Sequence, residues 1–217
     1  HKIKDATQLP IIATGRINQP QIAESIIAAG DADLCGMTRA MVCDPQMPSK
    51  AKAGRIDDIR ACIACNQSCI GRAHAGHPIS CLQYPESGRE IDFPEHTPLP
   101  ASKSVMIVGG GPAGLKAAAV AAGRGHRVVL HESESQLGGQ ALLAQRLPGR
   151  EEFGGLVQNL AREARDAGVD IRTGSSVTLE QILHESPEHL ILATGAQPYR
   201  PPLEGAEEAH VVDAWDA

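Results

Sequence analysis

Short apolar runs alternate with stretches of mixed polarity along the first 60 residues of the chain. The runs over residues 9–13 and 32–37 have the length and continuity of buried parallel strands. Between them, residues 18–29 are predicted to form a helix, with an asparagine cap, a proline in the first turn and a glycine just beyond the end. A further helix is expected over residues 46–59. This β-α-β-α order predicts a parallel sheet.

The same alternation returns in the second half of the chain. Strands are predicted over residues 105–108, 128–130, 169–172 and 189–193, and helices over residues 115–124 and 153–166. Between the two halves, the chain shows little periodicity and is rich in Cys, His, Gly and Pro. We therefore expect an α/β protein in three segments, residues 1–60, 61–100 and 101–217.

The composition excludes several classes of function. Hydrophobic residues make up 42% of the 217 residues but aromatic residues only 2%, so the core must consist of aliphatic side chains. The formal net charge is -6, and no basic stripe with interleaved aromatic residues is present, which argues against a nucleic-acid-binding protein. The apolar runs are far shorter than the roughly 20 residues of a membrane span. We expect a globular protein of the cytoplasm.

Four of the six cysteines lie in one irregular segment, with the spacing Cys62-x2-Cys65-x3-Cys69-x11-Cys81. Three thiolates within eight residues can surround one face of a compact cofactor, and a fourth arrives from a loop. Cysteine thiolates are the ligands of iron–sulfur clusters, so the spacing favours a [4Fe–4S] cluster.

Structural zinc is the main alternative for this segment. Zinc usually takes two separated CxxC-type pairs, and here His74 and His77 would have to replace the missing cysteine of the second pair. A disulfide scaffold fits less well, because no cysteine follows residue 81. Cys35 fits a small buried hydrophobic residue on a strand, and Cys43 has no partner pattern that assigns it a role.

A glycine-rich loop joins the predicted strand 105–108 to the helix that follows it. Gly109, Gly111 and Gly114 have the GxGxxG spacing, which permits a tight turn and close approach of the backbone to a pyrophosphate at the helix N-terminus. Glu132 ends the next predicted strand, where its carboxylate can accept hydrogen bonds from ribose hydroxyls. These features predict an adenine-nucleotide site.

Two further segments favour a flavin-type domain over one that binds only a nicotinamide nucleotide. Leu137-Gly-Gly-Gln140 is a second loop of close approach just after the acidic residue, and Leu190-Ile-Leu-Ala-Thr-Gly195 is a strand that ends in a turn of small residues. The residues leave open whether the ligand is FAD or a bare adenine nucleotide.

Two successive strand ends in the first segment carry a glycine followed by an arginine. One is Thr14-Gly15-Arg16, and the other is Gly36, followed by Thr38 and Arg39. In a (β/α)8 barrel, phosphate is commonly held by the loops after the seventh and eighth strands. Arginines there can make charge-assisted contacts to phosphate. Together, the two turns predict a phosphate site.

The order of these motifs resembles one family. The sequences ATGRI and GMTRA, the cysteine spacing, VGGGPAGL and ILATG follow one another as in the iron–sulfur flavoproteins of the 2,4-dienoyl-CoA reductase and trimethylamine dehydrogenase group, within the old yellow enzyme superfamily. The resemblance implies the end of an FMN-binding TIM barrel, a [4Fe–4S] segment and a Rossmann-like domain for FAD, or for ADP in its place. A full barrel takes about 250 residues, so we expect only its last quarter here and no substrate oxidation by this chain alone.

The resemblance also implies roles for individual residues. For the phosphate end of FMN the implied residues are Arg16, Thr38 and Arg39. The implied cluster ligands are Cys62, Cys65, Cys69 and Cys81. For the adenine nucleotide they are Gly109, Gly111, Ala113, Gly114, Glu132 and Gln140, with Arg150 and Val177 as weaker candidates.

Two directions of electron flow fit this resemblance. In an amine dehydrogenase or N-demethylase, a methylated amine reduces FMN, and electrons leave through the cluster to an electron-transfer flavoprotein. In an enoate or dienoyl-CoA reductase, NAD(P)H supplies the electrons instead. The turn over residues 211–216 resembles the demethylase branch more closely, so amine oxidation is favoured. A non-catalytic electron-transfer module is the alternative of another class, and a homo-oligomer is expected.

Overall fold

The computed structural model describes residues 3–93, 99–213 and 215. Within them the chain forms two units, residues 1–97 (unit 1) and 98–217 (unit 2), each with its own parallel sheet. The turn over 211–216 and the expected boundary near residue 100 lie partly outside the described residues. No helix among the described residues is long and apolar enough to cross a membrane.

Unit 1 begins with the predicted β-α-β arrangement. Strand β1 (Ile12–Thr14) pairs in parallel with β2 (Leu34–Gly36), and helix α1 (Pro20–Ala28) connects them. Pro20 stands in the first turn, where its fixed φ suits a helix and its missing N–H is not needed. The prediction of a parallel strand pair is confirmed, although both strands are shorter than the apolar runs that contain them.

The prediction of a single helix over residues 46–59 is wrong. Within this range the chain instead forms α3 (Met47–Lys52) and a 3₁₀ turn at Ile56–Asp58, and a separate helix, α2 (Thr38–Cys43), precedes them. Helix α3 ends early because Gly54 takes a left-handed conformation, with φ of 72°. A small apolar cluster of Ala40, Met47 and Ile59 joins these pieces.

Residues 60–93 are largely irregular, as predicted. They contain one π-helical turn, Gln67–Gly71, and one short helical turn, α4 (Arg72–His74). Ala64 and Asn66 adopt left-handed φ angles of 51° and 58°, which are uncommon for residues other than glycine. Hydrogen bonds from the side chains of Asn18 and Arg39 hold this segment against the rest of unit 1.

Unit 2 contains a four-stranded parallel sheet with the order β5-β4-β3-β6. Its strands are β3 (Ser104–Val108), β4 (Arg127–His131), β5 (Asp170–Arg172) and β6 (His189–Leu192). Its helices are α5 (Pro112–Gly123), α6 (Gln140–Ala144), α7 (Phe153–Asp166) and α8 (Leu179–Glu185). All four strands were predicted, whereas the short helices α6 and α8 were not.

The core of unit 2 lies where α5 and α7 pack on each other and α5 packs on the sheet. Ile107, Leu115 and Leu130 are fully buried there. Helix α7 contributes buried residues three and four positions apart, from Leu156 to Ala164, which is the spacing of one helix face. Helix α5 begins at Pro112, three residues earlier than predicted, so its first turn lies inside the glycine loop.

Candidate functional site

A cavity of about 450 Å³ lies at the carboxyl ends of the unit 2 strands, the edge where open parallel sheets bind ligands. We call it the unit 2 cavity. The residues predicted for the adenine nucleotide that line it are Gly109, Gly111, Ala113, Glu132, Gln140 and Val177. The fold therefore brings both glycine loops and the acidic residue to one place.

Two other residues predicted for this ligand are not among those that line the unit 2 cavity. Gly114 is buried in α5, behind the glycine loop. Arg150 is exposed, and its guanidinium lies 5.7 Å from the ring centroid of Phe153. Gly114 therefore supports the conformation of the glycine loop and is not part of the cavity lining.

The glycine loop requires two of its glycines for close backbone packing. A Cβ atom on Gly109 would lie 2.2 Å from the carbonyl oxygen of Ala193, and one on Gly114 would lie 1.9 Å from the carbonyl oxygen of Gly109. Any side chain at either position would therefore collide with backbone atoms. The close packing sets the N-terminus of α5 at the cavity, where backbone amides and the helix dipole favour an anion.

The carboxylate of Glu132 is fixed at the cavity wall. Its Oε2 atom accepts a hydrogen bond of 2.6 Å from the backbone N–H of Gly110, and its Oε1 atom accepts one of 2.9 Å from the N–H of Glu134. The residue is only 8% exposed. Oε1 also accepts a hydrogen bond of 3.1 Å from the Ser133 hydroxyl, so the second lone pair of Oε2 is the one that can accept a hydrogen bond from a ribose hydroxyl.

The second glycine loop is bonded directly to the first. The N–H of Gly138 donates to the carbonyl oxygen of Gly110 at 2.9 Å. Gln140, at the start of α6, donates through Nε2 to the carbonyl oxygen of Ala196 at 2.6 Å. The two loops and the segment after β6 therefore form one connected wall.

Sequence reasoning missed a polar pair at this site, formed by a buried histidine and a half-buried serine. Nδ1 of His131 lies 2.8 Å from Oγ of Ser175, and both residues line the unit 2 cavity. His131 is 3% exposed and ends β4, while Ser175 follows β5. Their position after predicted parallel strands was the signal that could have identified them.

A second cavity, of about 180 Å³, lies in unit 1 at the ends of β1 and β2. The parallel register places Thr14 beside Gly36, so the two turns that follow are neighbours. Arg16, Thr38 and Arg39 all line this unit 1 cavity. The three residues predicted for the phosphate of FMN are therefore brought together.

The cysteine segment is attached to the wall of the unit 1 cavity. Cys62 itself lines that cavity. Nδ2 of the buried Asn18 donates to the carbonyl oxygen of Cys62 at 3.0 Å. Nη1 of Arg39 donates to Oδ1 of Asn66 at 2.8 Å. One arginine thus connects the predicted phosphate site with the loop between Cys65 and Cys69.

The four predicted cluster ligands, Cys62, Cys65, Cys69 and Cys81, are free, half-buried thiols. Burial raises the pKa of the Cys65 thiol, and the neighbouring sulfurs of Cys81, Cys69 and Cys62 raise it further.

Four thiols of this kind have the donor chemistry that an iron–sulfur cluster requires. Among the described residues, no three His, Cys, Asp or Glu side chains surround one point as a single ion requires. His74 and His77, the substitutes that a zinc site would need, are exposed. In a [4Fe–4S] cluster each sulfur binds a different iron, so the ligands need not converge on one point.

Asp44 anchors the chain that leads into the cysteine segment. Its side chain is fully buried and accepts hydrogen bonds from Nζ of Lys50 at 2.7 Å and from the N–H of Arg60 at 2.9 Å. The N–H of Gln46 donates a third, at 3.1 Å. No sequence motif marked Asp44, because its partners come together only in the fold.

Cys43, to which no role was assigned, lies against one of the predicted ligands. A hydrogen bond from Cys43 is the main cause that lowers the pKa of Cys81 to about 6, and the same contact raises the pKa of Cys43. Backbone hydrogen bonds to Cys81 from Gln83 and Tyr84 also contribute.

Comparison with known proteins shows which families the two parts of the chain match. Residues 1–58 match the NADH:flavin oxidoreductase / NADH oxidase family, and residues 103–217 match the pyridine nucleotide-disulphide oxidoreductase family. The chain belongs to the 2,4-dienoyl-CoA reductase and trimethylamine dehydrogenase family of the old yellow enzyme superfamily. The predicted resemblance is thereby confirmed.

Relatives in this flavoprotein family match nearly the whole chain. It is 42% identical to an NADH oxidase of Thermoanaerobacter brockii, over 99% of this chain and 34% of that protein. It is 36% identical to an N,N-dimethylglycine/sarcosine dehydrogenase of Chromohalobacter salexigens, over 99% of this chain and 32% of that protein. A 2-naphthoyl-CoA reductase structure superposes with a TM-score of 0.90 at 32% identity, over 99% of this chain and 33% of that one. The chain spans about a third of the length of these relatives.

Proposed function

We propose that the protein containing this chain is an FMN- and [4Fe–4S]-dependent oxidoreductase with a further FAD or ADP site. One observation carries the proposal: the cysteine segment is hydrogen-bonded to the wall of the unit 1 cavity through Asn18 and Arg39. An enzyme that moves electrons between a flavin and a cluster must hold the two groups close together. The match of residues 1–58 to a flavin oxidoreductase family supports the same proposal.

In this proposal, unit 1 is the end of an FMN-binding TIM barrel, and its cavity holds the phosphate end of FMN. Arg16 and Arg39 supply positive charge, and Thr38 supplies a hydroxyl and the first amide of α2. Guanidinium groups bind phosphate through charge-assisted, bidentate hydrogen bonds. Arg39 would then contact the ligand while it remains within reach of Asn66.

Cys62, Cys65, Cys69 and Cys81 are the proposed ligands of the [4Fe–4S] cluster. When bound, the cluster supplies one-electron transfer and so connects a two-electron flavin reaction to one-electron carriers. The chain contributes four thiols in one anchored segment and shields them partly from solvent.

The unit 2 cavity is the proposed site for the adenosine diphosphate part of FAD, or for ADP itself. The N-terminus of α5 would hold the pyrophosphate, and Glu132 would accept hydrogen bonds from the ribose. Gln140 and Val177 line the same cavity and are further candidates for contact with the nucleotide.

The comparisons support NADH as the electron donor in the whole protein. The relative at 42% identity is named an NADH oxidase, whereas the dimethylglycine/sarcosine dehydrogenase is 36% identical over the same 99% of the chain. We therefore propose the reductase direction first. Amine oxidation, which the sequence favoured, remains the second candidate, with an electron-transfer flavoprotein as the acceptor.

An anaerobic absorbance titration of the holoprotein tests this proposal. NADH or NADPH is added in one experiment, and dimethylglycine in another. Bleaching of the flavin band by the nicotinamide supports the reductase direction, and bleaching by the amine alone supports the second candidate. Bleaching by neither, with reduction by dithionite intact, would indicate a non-catalytic electron-transfer module.

Chemical analysis tests the cluster separately. The proposal requires about four iron and about four acid-labile sulfide per chain. Zinc without sulfide would refute it. Substitution of Cys65 by Ala should remove most of the iron, whereas substitution of Cys35, which lies on β2, should not.

A further inference from the structure

The fourth proposed cluster ligand lies on a loop of its own. Eleven residues separate Cys81 from Cys69, so the short spacing that groups the other three cysteines does not fix its position. A backbone hydrogen bond holds one side of this loop: the N–H of Ser80 donates to the carbonyl oxygen of Ser68 at 2.8 Å. The residue before Cys81 is thereby fixed to the residue before Cys69. The other side of the loop requires a separate contact.

The side chain of Gln83 makes that contact. It is 3% exposed, and its Nε2 atom donates to the carbonyl oxygen of Ala61 at 2.8 Å and to Sγ of Cys43 at 3.2 Å. Because a carbonyl oxygen can only accept a hydrogen bond, the nitrogen of the amide must face Ala61. Ala61 immediately precedes Cys62, so Gln83 joins the loop of the fourth proposed ligand to the chain at the first.

The carbonyl end of the same side chain has no comparable contact. Oε1 of Gln83 is buried and has no hydrogen-bond partner among the residues that the structure describes. A buried acceptor without a partner destabilises a fold relative to an apolar side chain of the same shape. Stability alone therefore does not account for a glutamine at this position, whereas the bond to Ala61 does.

We propose that Gln83 is a positioning residue for the cluster: through its hydrogen bond to Ala61, it holds the Cys81 loop where the fourth thiolate binds iron. The inference rests on the proposed function, in which Cys62 and Cys81 bind different irons of one cluster. Residues that orient metal ligands affect metal retention about 10- to 100-fold. Without the Gln83 contact, the iron bound by Cys81 should be the first to leave.

Oxidation of the holoprotein by ferricyanide tests this role. A [4Fe–4S]²⁺ cluster that releases one Fe²⁺ and gives one electron to ferricyanide becomes [3Fe–4S]⁺, which electron paramagnetic resonance detects. Gln83→Met keeps the length of the side chain but removes the amide, so this conversion should be about 10- to 100-fold faster than in the wild type. Gln67→Met is the matched control: it makes the same replacement at an exposed side chain between Cys65 and Cys69, and its rate should equal that of the wild type.

Thiol labelling identifies which iron is lost. After the ferricyanide is removed, iodoacetamide alkylates the thiol that the departing iron has released, and mass spectrometry of the peptides locates the label. In Gln83→Met the label should be found at Cys81. A label at Cys62, Cys65 or Cys69 instead would overturn the inference, because the lost iron would not be the one that Gln83 is proposed to protect.

The outcomes separate this inference from the proposed function. Full iron content in Gln83→Met, with a conversion rate within about twofold of the wild type, refutes the role of Gln83 and leaves the cluster proposal intact. A lower yield of holoprotein with an unchanged rate in the remaining clusters also refutes it, since Gln83 would then be only a packing residue. A wild-type protein without iron and sulfide refutes both proposals.

A second variant covers the case in which Gln83→Met does not fold. Gln83→Asn keeps a buried amide but shortens the side chain by one methylene, so the bond to Ala61 should be lengthened or lost. It should also convert faster than the wild type, with the label at Cys81. A rate equal to that of the wild type in Gln83→Asn would then overturn the inference.

Discussion

Gly111 offers a way to separate nucleotide binding from folding, because it is the glycine of the loop that has open space around it. A Cβ atom at this position would meet no atom within 4 Å, and Gly111 lines the unit 2 cavity. Its φ of -74° is accessible to any residue. Gly111→Ala should therefore fold normally but place a methyl group where the pyrophosphate is proposed to lie.

The expected change in stability is small. Replacing glycine by alanine at a compatible φ stabilises a protein by about 0.4–1 kcal/mol through the unfolded state. Gly111 is also the N-cap of α5, where alanine is less favourable than glycine by up to about 1 kcal/mol. Because the two effects oppose each other, the free energy of unfolding should change by less than about 0.5 kcal/mol.

The expected loss of affinity is much larger. A charge-assisted hydrogen bond contributes about 1.5–3 kcal/mol. Displacing the pyrophosphate far enough to break one such bond should weaken binding about 10- to 150-fold. Calorimetric titration of the nucleotide-free protein with ADP measures this loss, and thermal unfolding of the same samples measures stability.

Gly155 provides the matched control. It lies in α7, and a Cβ atom there would also meet no atom within 4 Å, but it does not line the unit 2 cavity as described. Gly155→Ala should raise stability slightly, by up to about 1 kcal/mol, and leave ADP affinity unchanged. If Gly111→Ala bound ADP within threefold of the wild type, the proposed position of the pyrophosphate would be wrong.

Three further predictions concern folding and pH. Gly114→Ala should destabilise unit 2 by at least about 3 kcal/mol, measured by urea unfolding, because its Cβ would lie 1.9 Å from a backbone carbonyl oxygen; a loss below about 1 kcal/mol would contradict this. Asp44→Ala should cost about 3–5 kcal/mol, because it leaves the charge of Lys50 half-buried and unpaired; a variant as stable as the wild type in the same assay would count against this contribution. The hydrogen bond from the N–H of Ser104 lowers the pKa of Glu188 below its ordinary value of 4.5. The stability that the ionised carboxylate contributes is therefore complete above the ordinary pKa and is lost as the pH falls through the lower pKa of the folded state. Thermal unfolding between about pH 5 and pH 3 should therefore show a smaller loss of stability for Glu188→Gln than for the wild type, and equal losses would rule out this contribution.

The strands of the sheet could be predicted because they are continuous apolar runs. Residues 105–108 and 189–193 show this pattern clearly, and the structure forms β3 and β6 there. The short helices could not be predicted, because α6 and α8 have five and seven residues and little periodicity of their own. The error at residues 46–59 has a different origin: the helical pattern continues past Gly54, but the left-handed conformation of this glycine ends α3.

The kinds of site in this protein could be predicted from the local sequence alone. The spacing of the cysteines and of Gly109, Gly111 and Gly114 is a property of neighbouring residues, so the sequence alone indicated a cluster and a nucleotide site. The tertiary structure decided which distant groups support them. Asn18 and Arg39 reach the cysteine loop over 44 and 27 residues, and Cys43 and Gln83 meet over 40. Such contacts depend on how the chain folds back on itself, and side chains that make them carry no local signature.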